Sequence, residues 1–231
     1  MWKSILSIKK DLGEHNIDLT SLFLRNRDGN WSWSLEPTGL FTVSSLRNSI
    51  DAALADSGGN LKTTWIKSAP SKTNIFIWRL QKGRLATLSN LIQRGTLVES
   101  DFCYFCNDEV ETEDHVFARC QSTKRLVMDF CRWWNVPLMD FSSASDLINL
   151  GEQLHFNNRK LEGFLAAVFA LLWCIWKARN SLAFPDGNPS VLDILGESQS
   201  TSFCWINSRK KWGRKLIWSN WVCSPYEEIP L

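Results

Sequence analysis

In this chain of 231 residues, the side chains best suited to chemistry fall in one short run, CYFCNDEVETEDHVFARC, from Cys103 to Cys120. Cys103, Cys106, His115 and Cys120 follow the spacing C-x2-C-x8-H-x4-C. Two cysteines parted by two residues can turn both sulfurs inward on one tight loop. His115 and Cys120, taken as an i, i+4 pair, suit one helical turn with both side chains on one face. Together they offer four N/S donors, the set that tetrahedral zinc takes when its site is closed. No position is left for water, so the expected cofactor is one structural Zn2+ per chain.

Two other readings compete. Free cysteines are often small buried hydrophobes. However, the chain has three histidines and one of them falls between the cysteines, which favours metal. A cysteine nucleophile would need one low-pKa thiol beside a histidine base. Nothing singles out one cysteine, and no Gly-rich oxyanion segment accompanies the run. The remaining cysteines, Cys131, Cys174, Cys204 and Cys223, lie among aromatic residues and are expected in the core.

The elements that must position these donors are mostly helical. The first thirty residues look helical and amphipathic at best. In WSWSLEPTGLFTV, residues 31–43, Trp31, Trp33 and Leu35 alternate with polar partners, Pro37-Thr38-Gly39 makes a turn, and Phe41 and Val43 alternate again. That pattern predicts a β-hairpin. Ser44 or Ser45 can then cap a helix to about Leu54, and residues 56–62 read as a loop. Helices are expected from about Lys72 to Lys82, from Thr87 to a stop at Gly95, from Ser122 to Trp134, and from Ala144 to Gln153. The longest is expected over Asn158–Leu182, and a last one from near Pro189 to Lys211. The tail SPYEEIPL looks irregular.

Composition bounds the rest. Hydrophobic residues make up 44% and charged residues 22%, enough apolar surface for a real core. Thirteen tryptophans against two tyrosines mean that many indoles must be buried. The net charge of +2 supplies no global pull toward nucleic acid or membrane. The apolar stretch GFLAAVFALLWCIW, Gly163–Trp176, is shorter than the roughly 18 residues of a bilayer span, so a buried core helix is expected and no membrane partner. The N-terminus carries no apolar signal region, so an intracellular protein, nuclear or cytoplasmic and not secreted, is expected, with reduced cysteines.

The string WIKSAPSKTNIFIWRLQKGRLATLSNLIQRGTL, followed by CYFC and VETEDHVFARC, resembles the reverse-transcriptase zinc-binding domain of plant LINE-type retrotransposon polyproteins. The resemblance rests on Trp65, Pro70, Lys72, Phe76, Trp78, Arg79, Arg84, Leu85, Thr87, Asn90, Leu91, Arg94 and Gly95, then on Cys103, Cys106, Glu111, Thr112, His115 and Cys120. WSWSLEPTGLFTVSSLR and IWKARNSLAF resemble the flanking segments, so the likeness runs from about Trp31 to Phe184. The family's Pro between Leu85 and Thr87 is Ala86 here. Neither a Y-x-D-D aspartate pair nor the acidic quartet of a ribonuclease H is found. The resemblance therefore implies a detached C-terminal part of a polyprotein, not an enzyme by itself. It implies RNA or DNA and a reverse transcriptase domain as partners. The competing expectation is a structural or interaction remnant with no nucleic-acid role.

Direct phosphate contact is not expected at the metal. Glu99, Asp101, Asp108, Glu109, Glu111, Glu113 and Asp114 crowd the segment, and thiolates add negative charge. Glu111 and Glu113 read as surface charges, with Arg84 or Arg94 as partners, and Thr112 as a cap for the turn that presents His115. The basic run RKKWGRK, with Arg209, Lys210, Lys211, Trp212, Arg214 and Lys215, can bind single strands by charge and stacking. It reads equally as a solvated helix end. The expected fold is mainly α, with one N-terminal β-hairpin and a small zinc-clasped loop. Its domains are expected at 1–60 (helix, hairpin, helix), 61–135 (zinc-binding) and 136–231 (helical, with the basic segment).

Overall fold

The computed structural model describes residues 23–25, 29, 31–40, 42, 45, 64–184, 193–209, 212 and 214–229. The chain divides into two compact units, Met1–Lys62 and Thr63–Leu231.

In the first unit, β1 (Phe23–Arg25) pairs antiparallel with β2 (Trp31–Trp33), Leu24 opposite Ser32. A hairpin is present, but β2 finds its partner upstream, where helix was expected. Downstream, the chain folds back as a turn: the Trp33 N–H donates to Gly39 O at 2.7 Å and the Gly39 N–H to Glu36 O at 3.0 Å. Gly39 has φ +69, and a Cβ there would lie 2.6 Å from Ser32 Oγ, so the turn needs glycine. Trp33 is buried and donates its indole N–H to Ser45 Oγ at 2.7 Å. Phe41, Val43 and all of the expected 44–54 helix except Ser45 lie outside the described residues, as does the 56–62 loop.

The second unit is helical. It contains α1 (Ser71–Gln81), α2 (Leu88–Gln93), α3 (Gln121–Trp133), α4 (Ala144–Gln153), α5 (Asn158–Ala183), α6 (Ile194–Arg209), α7 (Trp218–Cys223) and α8 (Pro225–Glu228). α5 is its axis. Every residue from Gly163 to Leu172 is buried, so this helix is apolar all round because neighbours cover it all round. It is long and apolar enough to cross a membrane by length and composition, yet 72% of its most apolar window is buried inside the fold. α6 packs along it most extensively, and α4 and α1 also pack on it. Asn157 starts it, its Oδ1 accepting from the Arg159 and Lys160 N–H groups. Ser143 and Asp146 form a reciprocal capping box at the start of α4.

Five of the tryptophans fall into two groups along α5. Trp133, Trp134 and Trp221 meet edge-on around Phe130 and Phe164. About 18 Å along the helix axis, taking 1.5 Å per residue, Trp176 packs with Phe76 and Phe117, and Phe76 also meets Trp173. Within the tail, Pro225–Glu228 is helical rather than irregular. Trp221 and Ile229 are buried, and Trp133 Nε1 donates to Trp221 O at 2.9 Å. Glu228 accepts from the Ile217 N–H, the Asn220 amide and Arg214. Periodicity could not show this, because two helices of six and four residues carry too few turns to display it.

α4 approaches α5 through Gly151, where a Cβ would stand 2.8 Å from Leu161 Cδ1 and 2.9 Å from the Phe164 ring. Phe164 is fully buried and has nowhere to go. Overpacking costs about 1–3 kcal/mol, against about 1 kcal/mol of helix propensity gained from alanine. Gly151→Ala is therefore expected to lower the thermal midpoint; a raised midpoint would mean the Phe164 cluster yields freely.

Candidate metal centre

The two ends of the cysteine run are built by different local rules. Phe102 bridges Val110 in antiparallel fashion, closing a narrow loop. Inside it the Cys103 N–H donates to Glu109 O at 2.8 Å and the Asn107 N–H to Cys103 O at 2.7 Å. Asn107 takes φ +54, a left-handed position that asparagine tolerates better than most residues. The Phe105 N–H points at Cys103 Sγ, 3.4 Å away. The loop thus turns the two thiols to one side, as the C-x2-C spacing predicts.

The histidine end differs from expectation. His115 and Cys120 are five positions apart, not four, and an α-turn would splay them. The chain instead winds a π-helical turn over His115–Arg119, with the Cys120 N–H donating to His115 O at 2.8 Å. The wider i→i+5 turn brings the two donors round to the same side. Thr112 Oγ1 accepts from the His115 N–H at 3.1 Å, the cap foreseen from the sequence.

The donor atoms of Cys103, Cys106, His115 and Cys120 all lie within 4.8 Å of one another. Cys106 Sγ is 3.3 Å from His115 Nε2. A zinc–sulfur bond of about 2.3 Å in tetrahedral geometry implies sulfur–sulfur edges of roughly 3.8 Å, so these side chains fit zinc. Cys103, Cys120 and His115 are buried and Cys106 is half-buried. Cys120 is pushed down to about 5, first by a hydrogen bond from the Cys103 thiol, while that same partnership and then burial push Cys103 up. Two sulfurs sharing one proton are prepared to exchange it for a metal.

His115 Nδ1 lies 3.2 Å from Glu109 Oε2. A carboxylate on Nδ1–H fixes the tautomer that leaves Nε2 as the donor and strengthens it as a ligand. Losing such a partner costs about 10–100-fold in metal affinity, and because Glu109 is largely exposed the lower end applies. Glu109→Gln is thus expected to weaken zinc binding about tenfold, read by competition against a chromogenic chelator; unchanged affinity would deny Glu109 this role.

Buried polar ties bolt the loop to the helices. Glu111 and Glu113 are not surface charges. Glu111 is fully buried: its Oε1 accepts from the Leu88 N–H at 2.9 Å at the start of α2, and both oxygens accept from Arg179 of α5. Arg179 is 4% exposed and stacks beside the Tyr104 ring at 4.9 Å and the Trp176 ring at 5.1 Å. Thr87 precedes α2 as expected, but its hydroxyl does not cap it; the Glu111 carboxylate does. Glu113 accepts from the Leu85 N–H at 2.6 Å and from Asn90 at 3.2 Å. Burial pushes the Glu113 carboxyl up to about 7, with the Leu85 N–H pulling the other way. The expected partners Arg84 and Arg94 form an ion pair with neither acid; Arg94 donates to Arg84 O instead. Arg179 escaped the sequence reading because it lies 68 positions from Glu111. Its place with Lys177 at the polar end of an apolar helix was the one signal.

The scattered cysteines divide. Burial pushes Cys131 up to about 11 and Cys174 up to about 12, as core thiols. Cys204 and Cys223 are exposed and do not belong to the core. Of the basic run, Arg209 and Lys215 are exposed, and Lys210 and Lys211 lie outside the described residues. Trp212 packs against the core, and Arg214 is held by the Glu228 carboxylate and carbonyl at 2.9 and 2.8 Å.

Fold and site together define a mainly helical protein with a Cys3His cluster able to clasp a metal. A family model described as zinc-binding in reverse transcriptase matches residues 41–126, which include α1, α2 and all four donors. No curated protein and no solved structure matches the chain.

Proposed function

We propose that this chain is a non-catalytic zinc-binding accessory module that works beside the reverse transcriptase of a LINE-type retroelement and helps it engage RNA or DNA. One observation carries the reading: a closed set of three thiols and one imidazole within 4.8 Å, inside the segment that the family model matches. Thiolate and imidazole donors suit zinc. With four protein donors no coordination position remains for water or substrate, so a metal there supplies folding energy rather than Lewis-acid chemistry. Cys103, Cys106 and Cys120 would hold it through their sulfurs and His115 through Nε2, with Nδ1 directed at Glu109.

The acidic Glu99–Asp114 segment repels phosphate, so contact with nucleic acid has to come from another part of the molecule. The test has two arms on purified chain. Elemental mass spectrometry is expected to give one zinc per chain, lost in Cys106→Ser. A labelled single-stranded RNA is expected to bind at low salt and release as salt rises. Reduced, chelator-free protein without zinc would overturn the metal reading. Zinc-loaded protein that ignores RNA would leave an interaction module with no nucleic-acid role.

A further inference from the structure

A cleft of about 570 Å3 opens between α1, the Arg84–Ala86 link, the end of α2 and the middle of α5. This volume lies within the range of about 300–1,000 Å3 typical of ligand sites. Its rim carries Lys72, Arg79, Arg84 and Arg94, and no carboxylate lines it. All four cations are exposed, and among the described residues none is in an ion pair. Arg94 commits one donor to Arg84 O at 3.0 Å. Four like charges line the cleft, and among the described residues only Arg94 feels a nearby carboxylate, Glu113, so an anion that joins them relieves their mutual repulsion.

The floor is aromatic. Trp173 and Trp176 line the cleft half-buried, braced by Phe76 at centroid distances of 5.2 and 6.3 Å. The Lys72 ammonium rests over the Trp173 ring at 5.3 Å, where a mobile side chain can yield to a flat ligand. A phosphate-bearing ligand with an exposed π-face satisfies both halves of this surface. Single-stranded nucleic acid offers that pairing at every step, whereas a duplex hides its base faces and an acidic peptide has none.

We infer that this cleft is a binding site for single-stranded nucleic acid, with phosphates held by Lys72, Arg79, Arg84 and Arg94 and a base stacked on Trp173 or Trp176. The inference rests on the nucleic-acid part of the proposed function. It places the contact on three segments that are apart in sequence, rather than on the C-terminal basic run, where Trp212 and Arg214 are already engaged within the fold.

The test is fluorescence anisotropy of a labelled oligouridine with the zinc-loaded full chain across a salt series. Four phosphate contacts at about 0.7 each predict a log–log salt slope of roughly −2 to −3. R79Q/R84Q is expected to flatten that slope by about 1 to 1.5 and to weaken binding at least tenfold at low salt. R209Q/K215Q should leave both unchanged. Zinc content and circular dichroism verify that each variant folds, and Arg94→Gln repeats the test from a separate element. Binding that is lost in R209Q/K215Q but kept in R79Q/R84Q overturns the cleft while leaving the functional proposal intact. No RNA binding at low salt overturns both. Equal affinity for duplex, or for an oligoglutamate, overturns the assignment to single strands.

Discussion

Removing the metal, by chelation or by Cys120→Ser, is expected to unfold the 99–120 segment while sparing the far end of the helical unit. Structural zinc supplies about 10–16 kcal/mol of apparent binding energy, comparable to the whole net stability of about 5–15 kcal/mol that a domain usually has. Apart from the buried Glu111 and Glu113 ties, the segment has little regular structure to hold its shape. Between α2 and α3 its regular structure is one β-bridge and one π-turn. That turn also presents Val116 and Phe117 to the core, with Phe117 against Phe76 and Trp176. Loss of the clasp should therefore loosen α2 and the Trp176 end of α5. The Trp133–Trp134–Trp221 cluster lies about 18 Å away along α5 at 1.5 Å per residue and has contacts of its own. Hydrogen–deuterium exchange is the measurement: protection lost over residues 88–120 and kept in α3, α4 and α7. Uniform loss would make the unit a single cooperative block, and no loss would deny the clasp. Acid should mimic the chelator, since each thiolate and the imidazole must be deprotonated to bind.

The second large effect belongs to Glu111. Glu111→Ala leaves the Arg179 guanidinium buried without its carboxylate and the Leu88 N–H without its acceptor. Breaking a buried pair from one side costs about 3–5 kcal/mol, or roughly 6–20 °C in midpoint for a chain of this size. The double variant Glu111→Ala with Arg179→Met removes the stranded charge, and replacing both partners of a buried pair is often close to neutral. Thermal unfolding of the zinc-loaded proteins should thus show the double variant more stable than the single. If the two fall equally, the pair acts through packing and not through charge.

Much of the fold could be read along the chain because the cues are local. α4 has the predicted bounds, Ala144–Gln153, since Ser143 and Asp146 mark its start within four residues. α1 begins within a residue of expectation, after Pro70. Gly95 stops the turn after α2 with φ +79, a conformation glycine adopts without strain. Errors arose where the deciding contact was distant, where the period was unusual, or where a local pairing, that of β1 with β2, was missed. β2 chose an upstream partner, the π-turn absorbed an extra residue between His115 and Cys120, and the tail gained order only by docking Trp221 and Ile229.

The chemistry divides along the same line. The sequence by itself determined the donor set, because C-x2-C and H-x4-C are short-range spacings and four soft or borderline donors leave few metals to choose from. It also determined that a long apolar helix would be the core. Only the tertiary structure decided that Glu111 is buried and held by Arg179, that Glu109 orients His115, and that Arg79, Arg84 and Arg94 meet Trp173 and Trp176 in one cleft. Apart from Glu109 and His115, which are six positions apart, those pairings join segments far apart in the chain. Which partners meet follows from how the helices pack around α5, and no local pattern records it.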